Sequence, residues 1–570
     1  MNAIDAEVSF TYADAVTPAL RRMSLHVKQG ELVVIMGASG AGKSTLVKCL
    51  NRVIPAFQAG QLTGEVKLFG RLLTVEKVGE LAGTIGMVFQ DFEAQLFSTT
   101  VRDEVLFGME QLGVEPSEMP RRLAEVLTQV GLAGFASRDP TTLSGGEKQR
   151  LAIAALLALQ PRILVLDEPT TDLDPQGRQE IFALLSRMRA AGSTLVIVEH
   201  ELTIATQADH LVLLATGEIV ASGPADQLLP QIETLARYGV RPHDIDRLFQ
   251  ALGVKDYPRD IERAAEALRE RGLVPSSVDF PFIPQSAIRN PQSCTPPLLH
   301  LQSVTHIYPG ADSPAVDDVT LTIEEGEFIA LLGQNGSGKT TLAKHLSGLL
   351  TPTQGQVLLR GQELEQVPLH RLAQEVSYVF QNPDHQLFAA TVGEEVAFGP
   401  HHIGLDAAEV EARVQKALAA VDLIDMRDHD PFLLGKGERQ RLAVAALLAL
   451  HPRVLILDEP TTGLDYPEQR SMMELLRRLH QGGRTIIIIT HVPWVAVEYA
   501  ERALLMAQGR LLWDGSLRAL CAQPDLCTRA SFRPPDITLL GLRLGATPLS
   551  VAEMVAWVKA SAVVSPINLL

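Results

Sequence analysis

The chain has 570 residues, 46% hydrophobic and 21% charged, a globular composition with room for three or four domains. Its apolar runs, such as RTIIIIT at Arg484 to Thr490, are too short to cross a bilayer, and the start carries no basic-then-apolar leader, so a cytoplasmic location is expected. A formal charge of −17 argues against broad contact with nucleic acid or anionic lipid, and four cysteines without paired spacing (Cys49, Cys294, Cys521, Cys527) argue against zinc, iron–sulfur and disulfide frameworks.

The first strong element is ELVVIMG at Glu31 to Gly37, an apolar run that reads as a buried strand. It opens into Gly37, Ala38, Ser39, Gly40, Ala41, Gly42, Lys43, Ser44 and Thr45, followed by a helical pattern. Strand, glycine-rich loop and helix in that order make a P-loop: glycines allow the tight turn that aims successive N–H groups at a polyphosphate. Lys43 then faces the β and γ phosphates, and the Ser44 hydroxyl is a magnesium ligand. Downstream, VFQDFEAQLFSTTVRDEVLFG holds Gln90, placed to reach the metal or the attacking water, and the aromatics Phe92 and Phe97, which look exposed. The stretch TLSGGEKQR follows, with Ser144, Gly145 and Gly146 at a helix start suited to anions. RILVLDEPTTDLD reads as a buried parallel strand that delivers Asp167 to the metal and Glu168 to the attacking water. A second apolar strand, TLVIVEH, ends on His200, within reach of a γ-phosphate.

Beyond this lies RPHDI at Arg241 to Ile245, and then YPRDIERAAEALRERGL, which sets Ile261, Ala264, Ala265 and Leu268 on one helical face and is expected to pack on its own repeat. Pro275 to Pro297 contains six prolines in 23 residues and reads as an extended connector.

From there the chain repeats itself. EFIALLG leads into Gly333, Gln334, Asn335, Gly336, Ser337, Gly338, Lys339, Thr340 and Thr341, with Thr340 as the metal hydroxyl. QNPDHQLFAATVGEEVAFGP holds Gln381 and the aromatic Phe388; LILDEP holds Asp458 and Glu459; TIIIITH ends on His491. The tail is echoed too, as RPPDI at Arg533 to Ile537, and since no phosphate chemistry needs these tails they are expected to contact each other or the opposite repeat. One copy is altered. Against TLSGGEKQR the second repeat reads LLGKGERQR, so that Gly435 stands for Ser144 and Lys436 for Gly145, while Gly437 matches Gly146. The expected division is residues 1–230 and 298–520 for the two large domains, 231–274 and 521–570 for their small tails, and 275–297 for the linker.

P-loop, glutamine segment, LSGGEKQR, LDEPT and terminal histidine together resemble the ATPase domain of ABC proteins, over almost all of both repeats. The resemblance implies an α/β fold of two tandem P-loop domains, each a parallel-sheet core with an antiparallel subdomain and a helical lobe, followed by a small tail. It implies ATP and Mg²⁺ as cofactors. It further implies that the domains pair head to tail within the chain, so that each ATP lies between one P-loop and the other signature, with Tyr12 and Tyr308 stacked on adenine and Asp174 and Asp465 crossing the interface. The segments after Gln90 and Gln381, with the tails, are similar to the energy-coupling-factor ATPases of vitamin and cobalt importers. That narrower likeness implies a peripheral ATPase on the cytoplasmic side of the membrane. Its partners would be a transmembrane coupling subunit and a substrate-binding membrane subunit; the cargo would be a vitamin, a vitamin precursor or a metal ion, and no nucleic acid would be bound. The alternative is a tandem ABC ATPase acting on ribosomes or nucleic acid, for which a long charged arm, zinc cysteines or an iron–sulfur segment is expected and none is found.

Overall fold

A computed structural model describes residues 1–74, 76–171, 173, 175–255, 257–274, 296–311 and 313–562. Asp174, Cys294 and residues 275–295 of the expected linker lie outside the described residues. The chain forms two compact units, residues 1–246 with 465–467, and residues 247–464 with 468–570.

In the first unit the apolar runs become the inner strands of a six-stranded sheet. Leu32–Gly37, Ile163–Asp167 and Thr194–Val198 are buried on both faces, which is why they read as continuous hydrophobic stretches rather than alternating ones. Their order across the sheet is Glu218–Pro224, His210–Ala215, Leu32–Gly37, Thr194–Val198, Ile163–Asp167, Ile85–Val88. All pairings are parallel except that of Glu218–Pro224 with His210–Ala215. A second, antiparallel sheet of four strands is built around Asn2–Tyr12, whose alternate residues pack toward the P-loop helix Lys43–Leu50. The helices Val101–Gln111, Met119–Gln129 and Gly145–Leu157 pack on one another as a lobe.

The second unit repeats each part: a six-stranded sheet ordered Val376–Val379, Val454–Asp458, Thr485–Ile489, Phe328–Leu332, Arg502–Ala507, Arg510–Ser516, a four-stranded antiparallel sheet, and the lobe of Val392–His402, Ala407–Ala420 and Lys436–Leu448. Such doubly wound parallel sheets carry ligands at the carboxyl ends of their strands, and each P-loop, carboxylate pair and histidine follows such an end. No helix among the described residues is long and apolar enough to cross a membrane.

The helix Ile261–Glu270, N-capped by Asp260, buries Ala264, Ala265 and Leu268 as its pattern requires. It packs on Asp536–Arg543, the helix of the second repeat that begins in RPPDI: Arg543 Nε lies 2.7 Å from Glu262 Oε1, and Arg269 donates to the Arg543 carbonyl. The periodicity locates the apolar stripe and is silent about what covers it. Each tail also touches a P-loop. The backbone of Gly239 abuts Ala38 so closely that a Cβ there would lie 2.9 Å from Ala38 Cα, and Ser531, at the matching place in the second tail, donates to Gln334 Oε1 at 3.3 Å.

Candidate functional site

The P-loops turn as their glycines require. Gly37 has φ of 148° and Gly333 of 142°, and a Cβ on either would stand about 2 Å from a backbone oxygen of the next strand, Leu214 O or Met506 O. Lys43 Nζ donates to the carbonyls of Gly37 and Ala38 at 2.9 Å each, and Lys339 Nζ to Gly333 at 2.9 Å and Gln334 at 2.8 Å, so both ammonium groups sit across the mouths of their loops. Ala41 and Ser337 are buried beneath the loops, whereas Ser39, Gly40, Asn335 and Gly336 are on their open sides. Gly42 and Gly338 are the N-caps of helices beginning at Lys43 and Lys339, so that each loop leads straight into a helix N-terminus, an end that favours anions.

Hydroxyl and carboxylate meet as expected of a metal site: Ser44 Oγ donates to Asp167 Oδ1 at 3.1 Å, and Thr340 Oγ1 to Asp458 Oδ2 at 2.9 Å. These are hard oxygen donors, one side-chain hydroxyl and one carboxylate per site. Among the described residues no group of three His, Cys, Asp or Glu could hold a metal alone. That is the donor set of an ion such as Mg²⁺, which keeps waters and phosphate oxygens as most of its ligands. Burial pushes the Asp167 carboxyl up to about 6 despite the Ser44 hydrogen bond, and raises Asp458 as well.

Glu168 and Glu459 each sit one residue past the strand end in the left-handed region, at φ 52° and 49°, which a non-glycine residue adopts only under surrounding constraint. His200 Nε2 is 2.8 Å from Glu168 Oε1, while Gln90 Nε2 donates to Glu168 Oε2 at 2.9 Å and Thr171 Oγ1 at 3.1 Å. In the second repeat the constellation recurs in looser form, with His491 Nδ1 3.1 Å from Glu459 Oε2, Gln381 Nε2 donating at 3.5 Å and Thr462 Oγ1 at 2.9 Å. Burial pushes both carboxyls up, but in each the histidine, the P-loop lysine and the threonine outweigh it and hold the group at about 2. A carboxylate kept ionised and aimed in this way can accept a hydrogen bond from, and then a proton of, a water beside a phosphate.

Tyr12 and Tyr308 hold their rings near the P-loop helices through Thr45 and Thr341, at hydroxyl distances of 2.9 and 3.2 Å. Ser144 N-caps its helix: Glu147 N–H donates to Ser144 Oγ at 3.4 Å, and the serine hydroxyl donates to Glu147 Oε2 at 2.8 Å. Gly145 is open and Gly146 lies over Leu173. Gly435 opens the matching helix without a hydroxyl, and Gly437 lies against Glu468. The Lys436 side chain is laid over Gly463 of its own unit, where a Cβ would come within 2.2 Å of Nζ. Asp465 is buried, and within the first unit its Oδ2 accepts the Ser39 N–H at 2.8 Å. Phe97 and Phe388 are 65% and 58% exposed, whereas Phe92 is 8% exposed and belongs to the core, so the expectation for that ring is corrected.

Two groups escaped the sequence reading. Tyr378 donates to Asp458 Oδ2 at 2.7 Å, and Glu199, beside the histidine, accepts from Thr170 Oγ1 at 2.6 Å and from the His200 N–H at 3.1 Å. Aligning the repeats residue by residue was the available signal, since Met87 and Thr490 stand at the matching positions. Burial, reinforced by Glu201 and Glu168, pushes the Glu199 carboxyl from the ordinary 4.5 up to about 7. A raised acid stabilises the fold fully below the unfolded value, and that contribution is lost as pH rises from about 4.5 through 7. Glu199→Gln, neutral throughout, should therefore raise the unfolding midpoint relative to the natural chain at pH 8 and leave the difference near zero at pH 4.5. Thermal scans across that window check this, and a difference that does not grow with pH refutes it.

The family described as ABC transporter matches residues 20–171 and 316–462. An ABC transporter ATP-binding protein of Caldanaerobacter subterraneus subsp. tengcongensis is 44% identical over 95% of this chain and 96% of its own. One of Methanosarcina acetivorans is 39% identical over 97% of this chain and 92% of its own. Among solved structures, cbiO1 of Clostridium perfringens, described as part of the ABC transporter complex cbiONQ, is 32% identical over 42% of this chain and 97% of its own, with a TM-score of 0.38.

Proposed function

This chain belongs to the ABC transporter family, as an ATPase that binds ATP with Mg²⁺, and we propose that it powers an importer of the energy-coupling-factor type. In this reading it sits on the inner face of the membrane and drives uptake of a vitamin, a vitamin precursor or a metal ion through separate membrane proteins. Residues 1–230 and 298–520 act as the two motor domains and pair head to tail. Ser44, Asp167 and Gln90 hold the metal in one site, Thr340, Asp458 and Gln381 in the other; Glu168 and Glu459 polarise the attacking water, with His200 and His491 reporting on the γ-phosphate.

The observation that supports transport is a surface no ATP chemistry uses. On each lobe, just after the glutamine, an exposed phenylalanine stacks edge-on upon a second half-exposed one: Phe97 on Phe107 at 4.8 Å, Phe388 on Phe398 at 4.7 Å between ring centroids. Aromatic pairs left in water at matching places in both repeats suit a helix of a membrane subunit laid across each lobe. Replacing Phe97 and Phe388 together by serine should abolish uptake in cells and lose the membrane partner from detergent pull-downs, while basal ATPase of the purified chain persists. Retained uptake with both serines in place would refute the assignment.

A further inference from the structure

The repeats differ at the carboxylate beside the P-loop. Asp167 accepts one recorded side-chain hydrogen bond, from Ser44. Asp458 accepts two on the same oxygen, from Thr340 and from the phenol of Tyr378. Tyr378 lies on Val376–Val379, the edge strand beside Val454–Asp458, three residues before Gln381. Its ring is 7% exposed and packs edge-on against Phe380 at 5.2 Å, so the hydroxyl has no freedom to swing away. In the first repeat the same place holds Met87, whose sulfur accepts from Asn51 instead.

We propose that Tyr378 is a positioning residue for the metal-binding carboxylate Asp458, a support that the first repeat lacks. With both donors on Oδ2, the carboxylate is fixed in rotation beside Thr340, the hydroxyl assigned to the same metal. A donor of this kind, one step removed from the ion, orients the ligand, and its loss typically costs about 10- to 100-fold in metal affinity. The phenol also ties the strand leading to Gln381 to the strand that carries Asp458, so two of the groups assigned to that site move together. A bland reading is available, since a buried tyrosine hydroxyl needs some acceptor. The two readings differ in what the hydroxyl does to metal binding. The inference rests on the ATPase activity and not on the importer reading.

The test uses the full chain, with Tyr378→Phe, which removes only the hydroxyl, and Tyr378→Met, which installs the residue of the first repeat. Mn²⁺ binding is followed by electron paramagnetic resonance in the presence of a non-hydrolysable ATP analogue. Both variants should weaken one of two bound ions by about tenfold or more and leave the other unchanged. The Mg²⁺ concentration for half-maximal ATPase should rise in step, with kcat recovered at saturating Mg²⁺, while metal-free nucleotide binding stays as in the natural chain. Unchanged Mn²⁺ binding in Tyr378→Phe overturns the proposal, as does an equal weakening of both ions. Weakening in Tyr378→Met alone overturns it as well, because packing of the ring would then be the cause.

Discussion

Glu459→Gln should remove most steady-state ATP hydrolysis, whereas Glu168→Gln should leave a sizeable fraction. The asymmetry follows from the altered signature. In the first repeat Ser144 caps its helix with a hydroxyl and Gly145 beside it is bare. In the second repeat Gly435 offers no hydroxyl, and Lys436 follows with its side chain folded onto Gly463, where the first repeat carries Asp172. Under the proposed head-to-tail pairing the altered helix start serves the P-loop of repeat one, and the intact one serves the P-loop of repeat two, where Glu459 acts. Losing one hydrogen bond to a charged group costs about 1.5–3 kcal/mol, or roughly ten- to a hundredfold in rate when it is made in the transition state. Phosphate release by the two glutamine variants measures the difference. Adding Gly435→Ser with Lys436→Gly should narrow it, and equal losses from the two variants would sink both the asymmetry and the pairing that routes it.

A second large effect is expected of Glu395→Ala. Glu395 is 3% exposed, and its Oε2 accepts the N–H groups of Phe388 and Ala389 at 2.9 and 2.8 Å. Glu104 does the same for Phe97 and Ser98 at 3.0 and 2.8 Å, so one buried carboxylate per lobe fixes the loop that carries the exposed ring. Two charge-assisted bonds at about 1.5 kcal/mol or more each put the loss near 3 kcal/mol, about 4–5 °C in the midpoint of a unit this size. Glu395→Gln keeps an acceptor and should lose roughly half as much. In cells uptake should fall with the alanine variant, because the ring loses its seat. A midpoint within about a degree of the natural chain would show that water serves those N–H groups equally well.

The nucleotide machinery was legible because each part has a local signature. Glycine spacing specifies a loop, an apolar run before Asp-Glu specifies a buried strand end, and repetition confirmed both. What stayed hidden depends on contacts between distant segments. The left-handed backbone of Glu168 and Glu459 has no mark in composition, since the chain around them imposes it. Phe92 and Phe97 look alike in sequence, yet only the first faces the core of the lobe. The stripe on Ile261–Glu270 announced a buried face, but its cover comes from residues more than 270 positions further on. Tyr378 and Glu199 were hidden for the opposite reason: they are differences inside well-matched segments, and a search for sameness passes over them.

The contacts of Gly239 with Ala38 and of Ser531 with Gln334 place each tail against a P-loop, the loop proposed to receive phosphate. Thermodynamic reciprocity then binds the two: by whatever factor the docked tail changes nucleotide affinity, nucleotide must change the docking of the tail by the same factor. Any such coupling would run through the second residue of each P-loop, where the tail makes its contact.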